Sequence, residues 1–194
     1  MGTGILSVMV LVVLLVLGAI VLGVVVWLIA AYNGLVRLRN MVKSAWSQID
    51  VQLKRRYDLI PNLVETVKGY AAHEKGTLEN VIKARQAGIE AKTVGEQAQA
   101  ENMITGALRQ LFALSEAYPN LKANENFLAL QEELASTENK IGFARQYYNE
   151  TVKDFNTQQQ VFPTNLVAGT FGFKAADFFE IEEPAARETP KVKF

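Results

Sequence analysis

The chain has 194 residues, and its 20 Lys and Arg balance 20 Asp and Glu for a formal net charge of zero. That length suits one domain with an appendage, and the balance leaves no global basic field for nucleic acid. There is no Cys and one His, His73, which excludes disulfides and thiolate metal sites and leaves little for zinc or His-based catalysis.

The first charged side chain is Arg37, and from Ile5 to Tyr32 the chain is apolar apart from Ser7. A membrane-spanning helix needs about 20 apolar residues, so this run suffices with room for tilt. A secretory signal would want a basic start and a shorter apolar core. Trp27 and Tyr32 stand where interfacial aromatics are common. Arg37, Arg39 and Lys43 follow the run, and no cation precedes it. The positive-inside bias then predicts a single-pass protein with its N-terminus outside and its body in the cytoplasm. Within the run, Ala19 and Gly23 form a small-xxx-small pair, a candidate for self-association of the anchor.

Beyond Tyr32 the pattern is helical. Leu35, Leu38, Val42, Trp46, Ile49, Leu53, Tyr57 and Ile60 recur at spacings of three and four, and the stripe predicts Trp46 to be substantially buried. Pro61 is expected to break or kink this helix, with the chain turning near Asp58–Pro61. A second helix is predicted over 62–91, capped by Asp58 or by Asn62, the latter with Glu65 as a capping box. Thr93 and Glu96 offer another capping box for a third helix that ends near Tyr118, before Pro119. The fourth starts near Asn124. It carries the most regular heptad of the chain: Phe127, Leu130, Leu134, Thr137, Ile141, Ala144, Tyr148, Thr151 and Phe155, a coiled-coil-like seam. After Pro163 the composition shifts to an irregular tail. Its Phe171, Phe173, Phe178 and Phe179 are candidate docking groups. The acidic run Glu180, Glu182 and Glu183 favours packing on the bundle over an anionic leaflet. The predicted fold is all-α: an anchor over 1–32, an antiparallel up-down bundle of about four long helices over 33–163, and the tail over 164–194.

The basic triplet Lys54, Arg55 and Arg56 has two readings. It complements the free carbonyls of a helix end just before a break, or it is a docking patch for an acidic partner. No aromatic-basic interleaving surrounds it to suggest nucleic acid. His73-Glu74 starts a zinc-protease-like pattern, but position 77 is Thr, so the second ligand is missing. No phosphate-cradling or nucleophile-elbow motif occurs. No cofactor, metal site or catalytic group is expected.

The stretch "YNGLVRLRNMVKSAWSQIDVQLKRRYDLIPNLVETVKGYAAHEKGTLENVIKAR", with "RQYYNETVKDFN", "FPTNLVAGTFGF" and "FFEIEEPAARETPKVKF", resembles the LemA family of bacterial membrane proteins along essentially the whole chain. The resemblance implies a one-pass anchor in the bacterial plasma (inner) membrane and an antiparallel helical bundle. It also implies a context of membrane proteases and envelope processes. The expectation is a non-enzymatic, homo-oligomeric scaffold or adaptor that touches the bilayer through residues 5–32 and takes a membrane protein or protease as partner. The alternative is a membrane-shaping protein whose Phe-rich tail and anchor insert together.

Overall fold

The computed structural model describes residues 2–180, with side chains from Met9 onward. The expectations for Glu182, Glu183 and the rest of 181–194 lie outside the described residues, as does the side chain of Ile5. All regular structure among the described residues is helical: α1 Gly2–Lys68, α2 Lys75–Glu90, α3 Val94–Ser115, α4 Pro119–Lys122, α5 Glu125–Gln160 and α6 Thr164–Thr170.

The expected break at Asp58–Pro61 does not form. Pro61 lies inside α1, which continues to Lys68. A mid-helix proline strips the carbonyl four residues back of its donor, here Tyr57. In its place, Arg85 Nε donates to the Tyr57 carbonyl at 2.7 Å. The Asn62–Glu65 capping box is corrected with it, because both residues are internal to α1, and Glu65 instead pairs with Lys68 at 3.4 Å. The chain reverses over 69–74, where Tyr70 and Ala71 both bond back to the Val67 carbonyl.

The other caps follow local chemistry. The Thr93 hydroxyl accepts from the Glu96 amide at 3.1 Å, and the Glu96 carboxylate accepts from the Thr93 and Lys92 amides at 3.0 and 2.8 Å. These two backbone donors hold the Glu96 carboxyl below its usual range. Pro119 supplies the first turn of α4. At the start of α5, Asn124 Oδ1 accepts from the Phe127 amide at 2.9 Å.

The described residues fall into two compact units, 2–43 with 153–176 and 44–152 with 177–180. In the second, the heptad of α5 faces inward. Phe127, Leu134, Thr137, Ile141, Tyr148 and Thr151 are buried, and Leu130 and Ala144 are half-buried. Ile49, Leu53, Ile60 and Leu63 of α1 are buried in the same unit, as are the inner faces of α2 and α3. Short connections make sequential helices antiparallel. Trp46 is half-buried, with its ring 5.3 Å from Tyr148 and 5.6 Å from Phe179. Gly88 lets α2 approach closely: a Cβ there would lie 2.6 Å from the Tyr57 hydroxyl oxygen.

In the first unit, Leu35, Val167 and Ala168 form a small core against which Trp27, Ala31 and Phe173 pack. The N-terminal apolar stretch of α1 is uncovered, with Leu15 at 67% exposure. Among the described residues, α1 alone is long and apolar enough to cross a membrane. Residues 164–170, expected as irregular tail, form α6. It ends in a Schellman turn, with the Phe173 amide bonding to the Ala168 carbonyl, the Gly172 amide to Gly169, and Gly172 at φ +68°.

Candidate functional site

The basic triplet divides three ways. Lys54 pairs with Asp58 one turn on, at 3.0 Å on the surface. Arg55 reaches Glu133 on α5, with Nη2 and Nε donating at 2.6 and 3.2 Å. Arg56 is 1% exposed and points into the bundle. Its guanidinium pairs with Glu101 of α3 and Glu138 of α5. Arg56 is therefore withdrawn from the candidate docking patch, since no partner can reach it. The helix-end reading is corrected too, because α1 has no end there.

Around Arg56 the polar groups close on one another. The Tyr57 hydroxyl donates to Glu101. Gln97 Nε2 donates to Glu101 Oε1 at 2.9 Å and to the Tyr57 hydroxyl oxygen at 2.6 Å. Burial lowers the Arg56 pKa, opposed by the Glu138 charge, and burial raises that of Tyr57. A buried charge is tolerated only when paired and hydrogen-bonded, and here α1, α3 and α5 each contribute a member. These ionisable groups hold helices together.

A site that the sequence pattern did not single out lies on the outside of the same unit. Ser44, Ser47, Gln48, Val51 and Gln52 of α1 face Lys140, Phe143, Ala144 and Tyr147 of α5 across an open groove of about 670 Å³. Phe143 is 74% exposed and Val51 63%. Its lining mixes apolar side chains (Val51, Phe143, Ala144 and the Tyr147 ring) with hydroxyls, amides and one ammonium group.

The remaining candidates are placed as follows. Ala19 and Gly23 lie on the uncovered surface of α1, and a Cβ at Gly23 would meet nothing within 4 Å. Phe171 and Phe173 lie against Tyr32, at ring separations of 4.9 and 5.8 Å. Phe173 also meets Phe155 at 6.4 Å and lies under the Arg39 guanidinium at 5.4 Å. Phe179 is fully buried beside Trp46 and Tyr148, whereas Phe178 is 42% exposed. Two asparagines at heptad spacing on α5 clamp the tail backbone. Asn149 exchanges two hydrogen bonds with Phe179, at 2.8 and 3.1 Å, and Asn156 two with Ala176, each at 2.9 Å. His73 is exposed in the 69–74 turn. Among the described residues no three metal-ligating side chains gather.

Comparison with known proteins agrees with this architecture. The LemA family profile matches residues 45–194. Magnetosome protein MamQ 2 of Paramagnetospirillum magneticum is 27% identical, over 89% of this chain and 72% of its own length. Magnetosome protein MamQ of Magnetospirillum gryphiswaldense is 24% identical, over 85% of this chain and 70% of its own length. Protein LemA of Metamycoplasma hominis is 28% identical over 78% and 69%. An all-helical body behind a long apolar helix, and a family match over three-quarters of the sequence, lead to one conclusion: the chain belongs to the LemA family.

Proposed function

We propose that this protein is a membrane-anchored scaffold that presents a helical bundle to other membrane proteins. The observation that carries the reading is the groove between α1 and α5. A two-helix groove that offers Val51, Phe143, Ala144 and Tyr147 among polar side chains suits the apolar face of an amphipathic third helix, read through side chains at three- and four-residue spacing. The bland alternative, scattered surface apolars, fits poorly with Val51, Phe143 and Tyr147 lining one groove. The occupant we assign is an amphipathic helix of a partner protein. The magnetosome and LemA relatives support membrane association, and the uncovered apolar stretch of α1 supports an anchor.

In this reading the bundle is cytoplasmic, because Arg37, Arg39 and Lys43 follow the apolar run. The anchor self-associates through Ala19 and Gly23, where small side chains permit close helix contact. A photo-crosslinking residue placed at Phe143 in the native host tests the scaffold role, with exposed Asn80 on α2 as the control site. The expected result is discrete adducts with membrane proteins from position 143 and none from position 80. Equal labelling from both sites would remove the groove as a docking surface.

A further inference from the structure

We propose that α6 and its flanks form a second contact with the bilayer, in which Phe162, Leu166 and Phe171 enter the interface of the leaflet where the apolar run of α1 ends. The inference rests on the anchor reading and adds a surface that the anchor alone does not supply.

The inner face of α6 fixes its depth. Val167 and Ala168 pack on Leu35, together with Trp27 and Ala31. Trp27 and Ala31 belong to the apolar run, and Leu35 lies about 12 Å beyond Trp27 along the helix. The short helix is thus held beside the last turns of the span. Phe171 packs on Tyr32, the final residue of that run, with ring centroids 4.9 Å apart in a tilted arrangement. The Schellman turn at Gly172 folds Phe173 back onto the small core and leaves Phe171 outside it.

The outer side carries large exposed apolar side chains beside Asn165 and Thr170. Phe162 is 80% exposed, Leu166 58% and Phe171 59%. Of these, Phe171 adjoins Tyr32 at the end of the apolar run. Arg37 and Arg39 follow the run directly, Arg39 lies over Phe173, and Lys174 follows that ring. Aromatic rings beside Lys and Arg at the end of a span are the composition of a lipid interface, where rings enter the headgroup boundary and cations meet anionic phosphates. The bilayer is therefore the occupant we assign, in preference to a second protein.

The cysteine-free sequence makes a spin-label test direct. Single variants Leu15→Cys, Phe162→Cys, Leu166→Cys, Phe171→Cys and Gln146→Cys of the full chain are labelled and reconstituted in vesicles of zwitterionic and anionic phospholipid. Collision of each label with oxygen, which partitions into lipid, is compared with collision with a water-soluble nickel chelate. The substituted positions are exposed, so packing is preserved. At positions 162, 166 and 171 the oxygen-to-nickel ratio should be severalfold higher than at 146 and lower than at 15. Water-like ratios at all three, with position 15 in lipid, would overturn the contact and leave the anchor standing. Exclusion of both reagents at those positions would mean a protein cover and would also overturn it. A water-like ratio at position 15 would overturn the anchor and this contact together.

Discussion

Arg56 shows how far a single residue's environment departs from its local composition. It stands in a run of three cations, yet it occupies the heptad series Ile49, Leu53, Arg56, Ile60, Leu63, each member of which is buried. Its partner Glu101 stands in the matching series Gln97, Glu101, Ile104, Leu108, Leu111, also buried. Neither position was legible as core: the apolar stripe read from the sequence passes through Tyr57, and assigning a charge to the core required knowing that two carboxylates face it. Removing one member of a buried ion pair leaves an uncompensated charge and costs about 3–5 kcal/mol, whereas well-packed apolar replacements of the whole pair recover much of that. Arg56→Ala should therefore destabilise the detergent-solubilised chain by about that much in urea unfolding. Arg56→Met with Glu101→Met should be closer to wild type than either single change. If Arg56→Ala left the midpoint unchanged, the network would be ornamental. Gly88 poses a contest of two small effects. Replacing a mid-helix glycine by alanine gains about 1 kcal/mol from propensity, while a Cβ 2.6 Å from the Tyr57 hydroxyl oxygen costs about 1–3 kcal/mol in overpacking. Tyr57 is held by Glu101 and Gln97 and cannot step aside freely. Gly88→Ala should lower the melting temperature, while Gly76→Ala, with no atom within 4 Å, should raise it.

At the scale of the element, the long first helix survives its proline through a tertiary hydrogen bond. Arg85 belongs to α2, so the continuity of α1 past Pro61 depends on a different helix. A buried carbonyl left without a donor costs about 1–3 kcal/mol. Arg85→Leu should thus destabilise the protein by roughly that amount. In a Pro61→Ala background the restored amide gives Tyr57 its helical donor again, so the same substitution should cost less. Thermal unfolding of the four chains measures the coupling, and a value near zero would separate Arg85 from the proline. The Thr93–Glu96 and Asn124 caps need no such help. Their donors and acceptors lie within four residues, which is why sequence spacing alone located both helix starts.

At the scale of the whole molecule, one unit carries a long uncovered apolar stretch, and the other a polar network in which Arg56 and Glu101 are buried and Glu138 reaches the surface. The orientation we assign has one direct check. An engineered Glu125→Cys, in the first turn of α5, should resist an impermeant thiol reagent in intact cells and react once the cells are opened. Reaction in intact cells would reverse the topology. Sequence by itself determined the helical class, the long apolar N-terminal helix, the heptad of α5 and the family resemblance, because each rests on periodicity, local capping or run length, which act over a few turns. Only the tertiary structure decided that Pro61 leaves α1 unbroken, that Arg56 is internal, that residues 164–170 form a helix against Leu35, and that an open groove lies between α1 and α5. Each of these depends on a donor, a charge or a surface supplied by residues remote in sequence, from 28 positions away for Arg85 and Tyr57, through 82 for Arg56 and Glu138, to 132 for Leu35 and Val167, beyond the reach of any local pattern.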